Sequence, residues 1–118
     1  MQTLGFIANW IERRFALRAS ADLLDLYRKV RRANPELTGR PLYEAIAAQR
    51  LGSRSGEAAT AVRRADESFA QWPRDRDLRF RDVAHLLIFD EYTRANGNRA
   101  ETRTMIGQSV ARVIPAEL

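Results

Sequence analysis

Apolar residues recur at helical spacing along most of the chain. The clearest run is Ala58, Ala61, Val62, Ala65, Phe69 and Trp72, which fall within an arc of roughly 100° at the helical period. Glu57, Thr60, Arg63, Arg64, Glu67 and Gln71 take the opposite side. This pattern predicts a helix over about residues 56–72, with Ser55 as the cap and Pro73 as the stop. Five more helices are predicted, over about 3–17, 20–33, 42–51, 80–95 and 101–113.

The proposed breaks rest on local chemistry. Ser20 reads as an N-cap, Asn34-Pro35 as a stop, Gly52 as a left-handed C-terminal residue, and Pro115 as the final terminator. Leu23, Leu24, Leu26, Tyr27 and Val30 form the apolar face of the second helix, and Asp25 precedes Lys29 at a favourable spacing. The helix over 80–95 is apolar around most of its circumference (Phe80, Val83, Ala84, Leu86 to Phe89, Tyr92), which predicts a central, buried element. Met105, Ile106, Val110 and Val113 read as the inward face of the last helix. The fold class is therefore all-α, a compact bundle of about six short amphipathic helices in one domain spanning residues 1–118.

The helix over 3–17 differs from the others in carrying two apolar stripes. Leu4, Ile7, Ile11 and Phe15 make one; Phe6, Trp10 and Leu17 make the other, well separated around the helix. Docking on its own domain requires one apolar face, so the second stripe is either sandwiched within the fold or meets something else. Exposed Trp and Phe are common interface anchors, which makes Phe6, Trp10 and Leu17 candidate partner-binding residues. The partner is another protein or a second copy of the chain. Arg13, Arg14 and Arg18 also permit contact with a membrane surface, but the polar face is small and the helix short for that role.

A length of 118 residues is enough to bury a core without metal or disulfide support. The absence of cysteine excludes disulfides, thiolate catalysis and zinc–thiolate sites, and fits a cytoplasmic protein. The amino terminus does not read as a signal peptide, and the apolar run Val83 to Phe89 is far shorter than a membrane span.

A formal charge of +5 raises the expectation of an anionic partner. Lys29 is the only lysine, however, and a joint arginine and alanine bias is what a GC-rich genome imposes on any protein. Arg28, Lys29, Arg31 and Arg32 sit where cations complement a helix C-terminus. Arg74, Arg76, Arg79 and Arg81 are interleaved with Asp75, Asp77 and Asp82, as on a solvated face.

Two constellations remain. Residues 42–72 resemble a degenerate helix-turn-helix, with Ala48 four positions before Gly52 and Ala58 and Ala61 at apolar positions beyond it. Its nucleic-acid contacts would be Arg54, Arg63 and Arg64, but Ser53 departs from the pattern and Glu57, Asp66 and Glu67 would repel phosphates. His85, with Asp82 one turn before it, could begin a metal or acid–base site, yet no further ligands converge on it from the sequence. Asp90-Glu91 and Asp22/Asp25 do not read as catalytic pairs. With no phosphate loop, nucleophile elbow, metal motif or cofactor motif, the chain reads as a non-enzymatic protein acting by protein–protein contact, with a DNA-associated regulator as the alternative.

Overall fold

The computed structural model describes residues 2–69 and 77–118, with side chains described from residue 9 onward. Helix and connecting turns account for all of these residues, and no strand occurs among them. Five α-helices follow in order: α1 Gln2–Ala33, α2 Gly39–Leu51, α3 Ala58–Ser68, α4 Phe80–Asn96 and α5 Thr102–Val113. A 3₁₀ segment, Gly52–Glu57, joins α2 to α3.

The first two predicted helices are one. Between residues 17 and 20 there is neither glycine nor proline to stop propagation, and Ser20 is a buried member of the helix rather than its cap. Its hydroxyl donates to the carbonyl of Ala16, one turn back, at 2.7 Å. The resulting 32-residue helix is about 48 Å long at 1.5 Å per residue and sets the longest dimension of the molecule, 51 Å. It ends as the sequence implies: the Asn34 N–H donates to the Val30 carbonyl at 2.9 Å, and Pro35 follows. Arg31 then donates to the carbonyls of Pro35 (3.1 Å) and Leu37 (2.5 Å), serving the exposed helix end.

Among the described stripe residues, Trp10 and Ile11 are exposed and Phe15 and Leu17 half-buried, so none of them forms the inward face of α1. The buried strip runs through Glu12, Ala16, Ala19, Ser20, Leu23 and Val30, between the two stripes. Small residues along it let α5, the main neighbour of α1, pack closely. Phe15 flanks the strip and meets Tyr92 of α4, with ring centroids 5.4 Å apart.

The helix around Ala61 starts later than Ser55. Residues 52–57 take a 3₁₀ path with a kink at Arg54, and Ser55 makes no capping bond, so α3 begins at Ala58. Its inward face is as the periodicity requires: Ala58, Ala61, Val62, Ala65 and Phe69 are buried. Trp72 and Pro73 lie outside the described residues. Gly52 has φ +61°, the left-handed region that favours glycine, and it closes α2 by donating to Ala48.

Helix α4 is the centre, touching α1, α2, α3 and α5. Phe80, Val83, Ala84, Leu86, Leu87, Ile88 and Tyr92 are all buried along it. Tyr27 and Tyr43 pack on Phe80, with ring centroids 4.9 and 5.9 Å away. In α5, Ile106 and Val110 are buried, while Met105 and Val113 are half-buried. No helix among the described residues is long and apolar enough to cross a membrane.

Candidate functional site

The outward side of α1 carries the large apolar side chains that the fold leaves in solvent. Trp10 is 54% exposed and Ile11 53%. Trp10 lies about 160° around the helix from the wholly buried Glu12, so the docking of α1 on α5 cannot cover it. Leu17 and Leu24, at the same helical angle to within about 40°, are half-buried. Trp10, Leu17 and Arg13, Arg14 and Arg18 line one concavity of about 520 Å³ on this face. The guanidinium of Arg14 lies 5.4 Å from the Trp10 ring centroid, a cation–π contact that steadies both in water. The side chain of Phe6 lies outside the described residues.

Charge is divided along the same helix. Arg13, Arg14 and Arg18 are exposed in its first half, and Asp22 and Asp25 are exposed a turn or two later. Asp22 and Asp25 form no ion pair among the described residues, and the expected Asp25–Lys29 bridge does not form.

The helix-turn-helix candidates sit differently. The six-residue 3₁₀ segment between α2 and α3 is longer than the three- or four-residue turn of that motif. Arg54 bridges Glu57 at 3.1 Å, Arg63 reaches Glu67 at 3.9 Å, and Arg64 pairs with Asp90 at 2.7 Å and 3.2 Å. Each of the three cations therefore already faces a carboxylate of its own chain.

His85 and Asp82 do not form a catalytic pair. Asp82 is buried and caps α4 by accepting the backbone N–H of Arg79 at 2.9 Å. His85 contacts the carbonyl of Arg103 on α5 through Nε2 at 2.7 Å. Because a carbonyl only accepts, Nε2 carries the proton. Burial lowers the pKa of His85 and so favours the neutral ring, against the opposing pull of the Arg103 carbonyl. Phe69 meets the imidazole edge-on at 4.8 Å, and the Arg103 guanidinium lies 4.1 Å over the other ring, that of Phe69. No group of three or more His, Asp or Glu placed to hold a metal occurs among the described residues.

Sequence reasoning missed one cluster. Arg79, Arg81 and Arg103 line a cavity of about 780 Å³ between α4 and α5, with His85 and Gly107 beside them. Arg103 lies 22 residues beyond Arg81 in the chain, so no local pattern announces the grouping. No family model, curated protein or solved structure matches this chain.

Proposed function

We propose that this protein acts by protein–protein contact, self-associating through an antiparallel pairing of α1 with α1 of a second copy. The exposure of Trp10 on the face of α1 turned away from its own core carries the reading. A large aromatic side chain in water gains most by burial against a partner, and such residues dominate interface energies.

Charge supports the antiparallel sense. In a parallel pair Arg14 would face Arg14, and Arg18 would face Arg18. An antiparallel crossing midway between Leu17 and Ala21 sets Leu17 of each copy against Ala21 of the other. In the same register Arg14 falls within a turn of Asp25, and Trp10 comes opposite Arg28, four residues from Leu24. Opposite charges then meet at the rim around an apolar seam, as stable interfaces require. The DNA-associated reading has less support, because Arg54, Arg63 and Arg64 are already ion-paired.

Light scattering coupled to size exclusion, run over a concentration series, tests the pairing. Wild type is expected to shift from monomer to dimer, and Trp10→Asp to weaken the dimer by about 30-fold or more with an unchanged far-ultraviolet spectrum. Arg14→Asp should weaken it as well, and Arg14→Asp with Asp25→Arg should recover it. A wild type that stays monomeric throughout, or a dimer indifferent to Trp10→Asp, overturns the proposal.

A further inference from the structure

The cavity between α4 and α5 holds an unusual electrostatic arrangement. Arg79, Arg81 and Arg103 contribute three guanidiniums to its wall, and Asp82 is the one carboxylate among the described residues that line it. Asp82 also accepts the Arg79 N–H at the amino-terminal end of α4. Neither Arg81 nor Arg103 forms an ion pair among the described residues; both are held by neutral carbonyls. Arg81 donates through Nε to Ile114 and through Nη2 to Ala111 at 2.9 Å. Arg103 donates through Nη2 to Ser68 and stacks on Phe69. A guanidinium has five N–H donors, so each keeps donors to spare while its position is fixed.

A second cavity in the same molecule supplies the contrast. Arg50, Arg54, Arg64 and Arg94 line a space of about 320 Å³ beside α2 and α3, and the first three pair with carboxylates in the same lining: Glu91, Glu57 and Asp90. Arg81 and Arg103 have no such partner among the described residues. Three cations that share a wall with one carboxylate among the described residues repel one another, and an anion arriving between them relieves that repulsion.

We propose that the α4–α5 cavity is a binding site for a phosphomonoester dianion, with Arg81 and Arg103 as its principal contacts and Arg79 completing the positive wall. Three guanidiniums against one carboxylate leave an excess that suits a doubly charged ligand. The volume of about 780 Å³ exceeds what a bare phosphate fills and lies in the range of small-molecule sites. Thr104 and Gln108 of α5, also in the lining, supply neutral hydrogen-bonding groups for the remainder of such a ligand. Gly107, in the same lining, lets His85 lie directly against α5, since a Cβ there would be 2.7 Å from Cε1 of the imidazole.

Calorimetric titration of the full chain with phenyl phosphate, inorganic phosphate, citrate and phenol tests the site. Phenyl phosphate is expected to bind with an affinity that falls as salt rises, and phenol not to bind. Arg103→Gln should weaken phenyl phosphate binding about tenfold or more. Since Arg81 and Arg103 also tie helices together, Thr104→Glu serves as the second variant: Thr104 is exposed, and a carboxylate there should abolish binding while the fold persists by circular dichroism. Inorganic phosphate binding as tightly as phenyl phosphate assigns the free ion as the ligand and keeps the phosphoryl site. No phosphoryl probe binding, a preference for citrate, or binding unchanged in Thr104→Glu overturns the proposal. Trp10→Asp should leave this titration unaltered, which separates it from self-association.

Discussion

Glu12 of α1 and Arg99, in the connection from α4 to α5, form an ion pair across 87 residues of sequence, and the Glu12 carboxylate is wholly buried. Only one of its oxygens is satisfied by the pair; Oε1 has no hydrogen-bond partner among the described residues. Arg99 by contrast remains in good contact with water. The two ends of the pair are therefore unequal. Removing Arg99 strands a buried carboxylate, whereas removing the charge of Glu12 leaves a cation that water can solvate. Arg99→Met is expected to lower the melting temperature more than Glu12→Gln does, and Arg99→Met with Glu12→Gln to recover part of the loss. Thermal unfolding of the three variants by circular dichroism checks the order, and equal losses from the two single variants count against it.

This pair also marks where sequence reasoning stops. The inward faces of α3 and α4 are legible because each is written by neighbours at helical spacing: Ala61, Val62 and Ala65 in one, Val83, Leu87 and Ile88 in the other. The ends at Asn34-Pro35 and Gly52 are legible because the residue type forces the geometry. Ser20 misleads, since a hydroxyl satisfies a cap and an internal carbonyl equally well, and only packing on α5 selects the second. Glu12 gives no sign of burial, because its partner is supplied by a distant turn. The same holds for the α4–α5 cavity, where Arg103 joins Arg79 and Arg81 through helix packing rather than through spacing in the chain. The place of Trp10 on a second apolar face is legible; which side the core takes is not, because that choice lies with Ala16, Ala19 and Leu23.

Ile88 and Ile11 are the same residue type at opposite extremes of burial, 0% and 53% exposed. Ile88→Ala removes three buried carbons from the central helix and opens a cavity, a loss of about 2–5 kcal/mol. Ile11→Ala removes the same atoms from water and should change stability by no more than about 0.5 kcal/mol. Urea unfolding at a concentration where the chain is monomeric measures both. Comparable losses from the two would show that the exposed face of α1 is packed in solution.

Gly107 and His85 define a contact with no spare room. A methyl group at position 107 would sit 2.7 Å from Cε1 and 3.2 Å from Nε2 of the imidazole. The ring has little freedom to yield, held by the Arg103 carbonyl on one atom and by Phe69 at its edge. Overpacking of this kind costs about 1–3 kcal/mol. Alanine is also a better helix former than glycine by about 1 kcal/mol, which opposes the loss without cancelling its upper range. Gly107→Ala should therefore destabilise the wild type. In a His85→Ala background the collision is gone and only the propensity remains, so the same change should stabilise. A reversal of sign in the double-mutant cycle is the expected result, and an equal effect in both backgrounds would falsify the contact.

His85 also sets a pH dependence whose direction follows from its surroundings. Burial lowers its folded-state pKa below the ordinary value of 6.5. The Arg103 carbonyl and the Asp82 carboxylate oppose that shift, while the charge of Arg103 adds to it. In the unfolded chain the imidazole takes up a proton near pH 6.5, whereas in the folded chain it resists protonation until lower pH. Between those two values the unfolded state binds more protons, so acid favours unfolding. The contribution of His85 to stability is complete above pH 6.5, declines as pH falls from there toward the folded-state pKa, and levels off below it. Urea midpoints measured at intervals from pH 8 to pH 5 should fall in that window for wild type. The carboxylates are common to both proteins, so the difference between wild type and His85→Gln isolates the imidazole. That difference should shrink as pH drops through the window, because glutamine has no proton to gain. A constant difference would place the imidazole in water and remove the argument for its burial against Phe69 and α5.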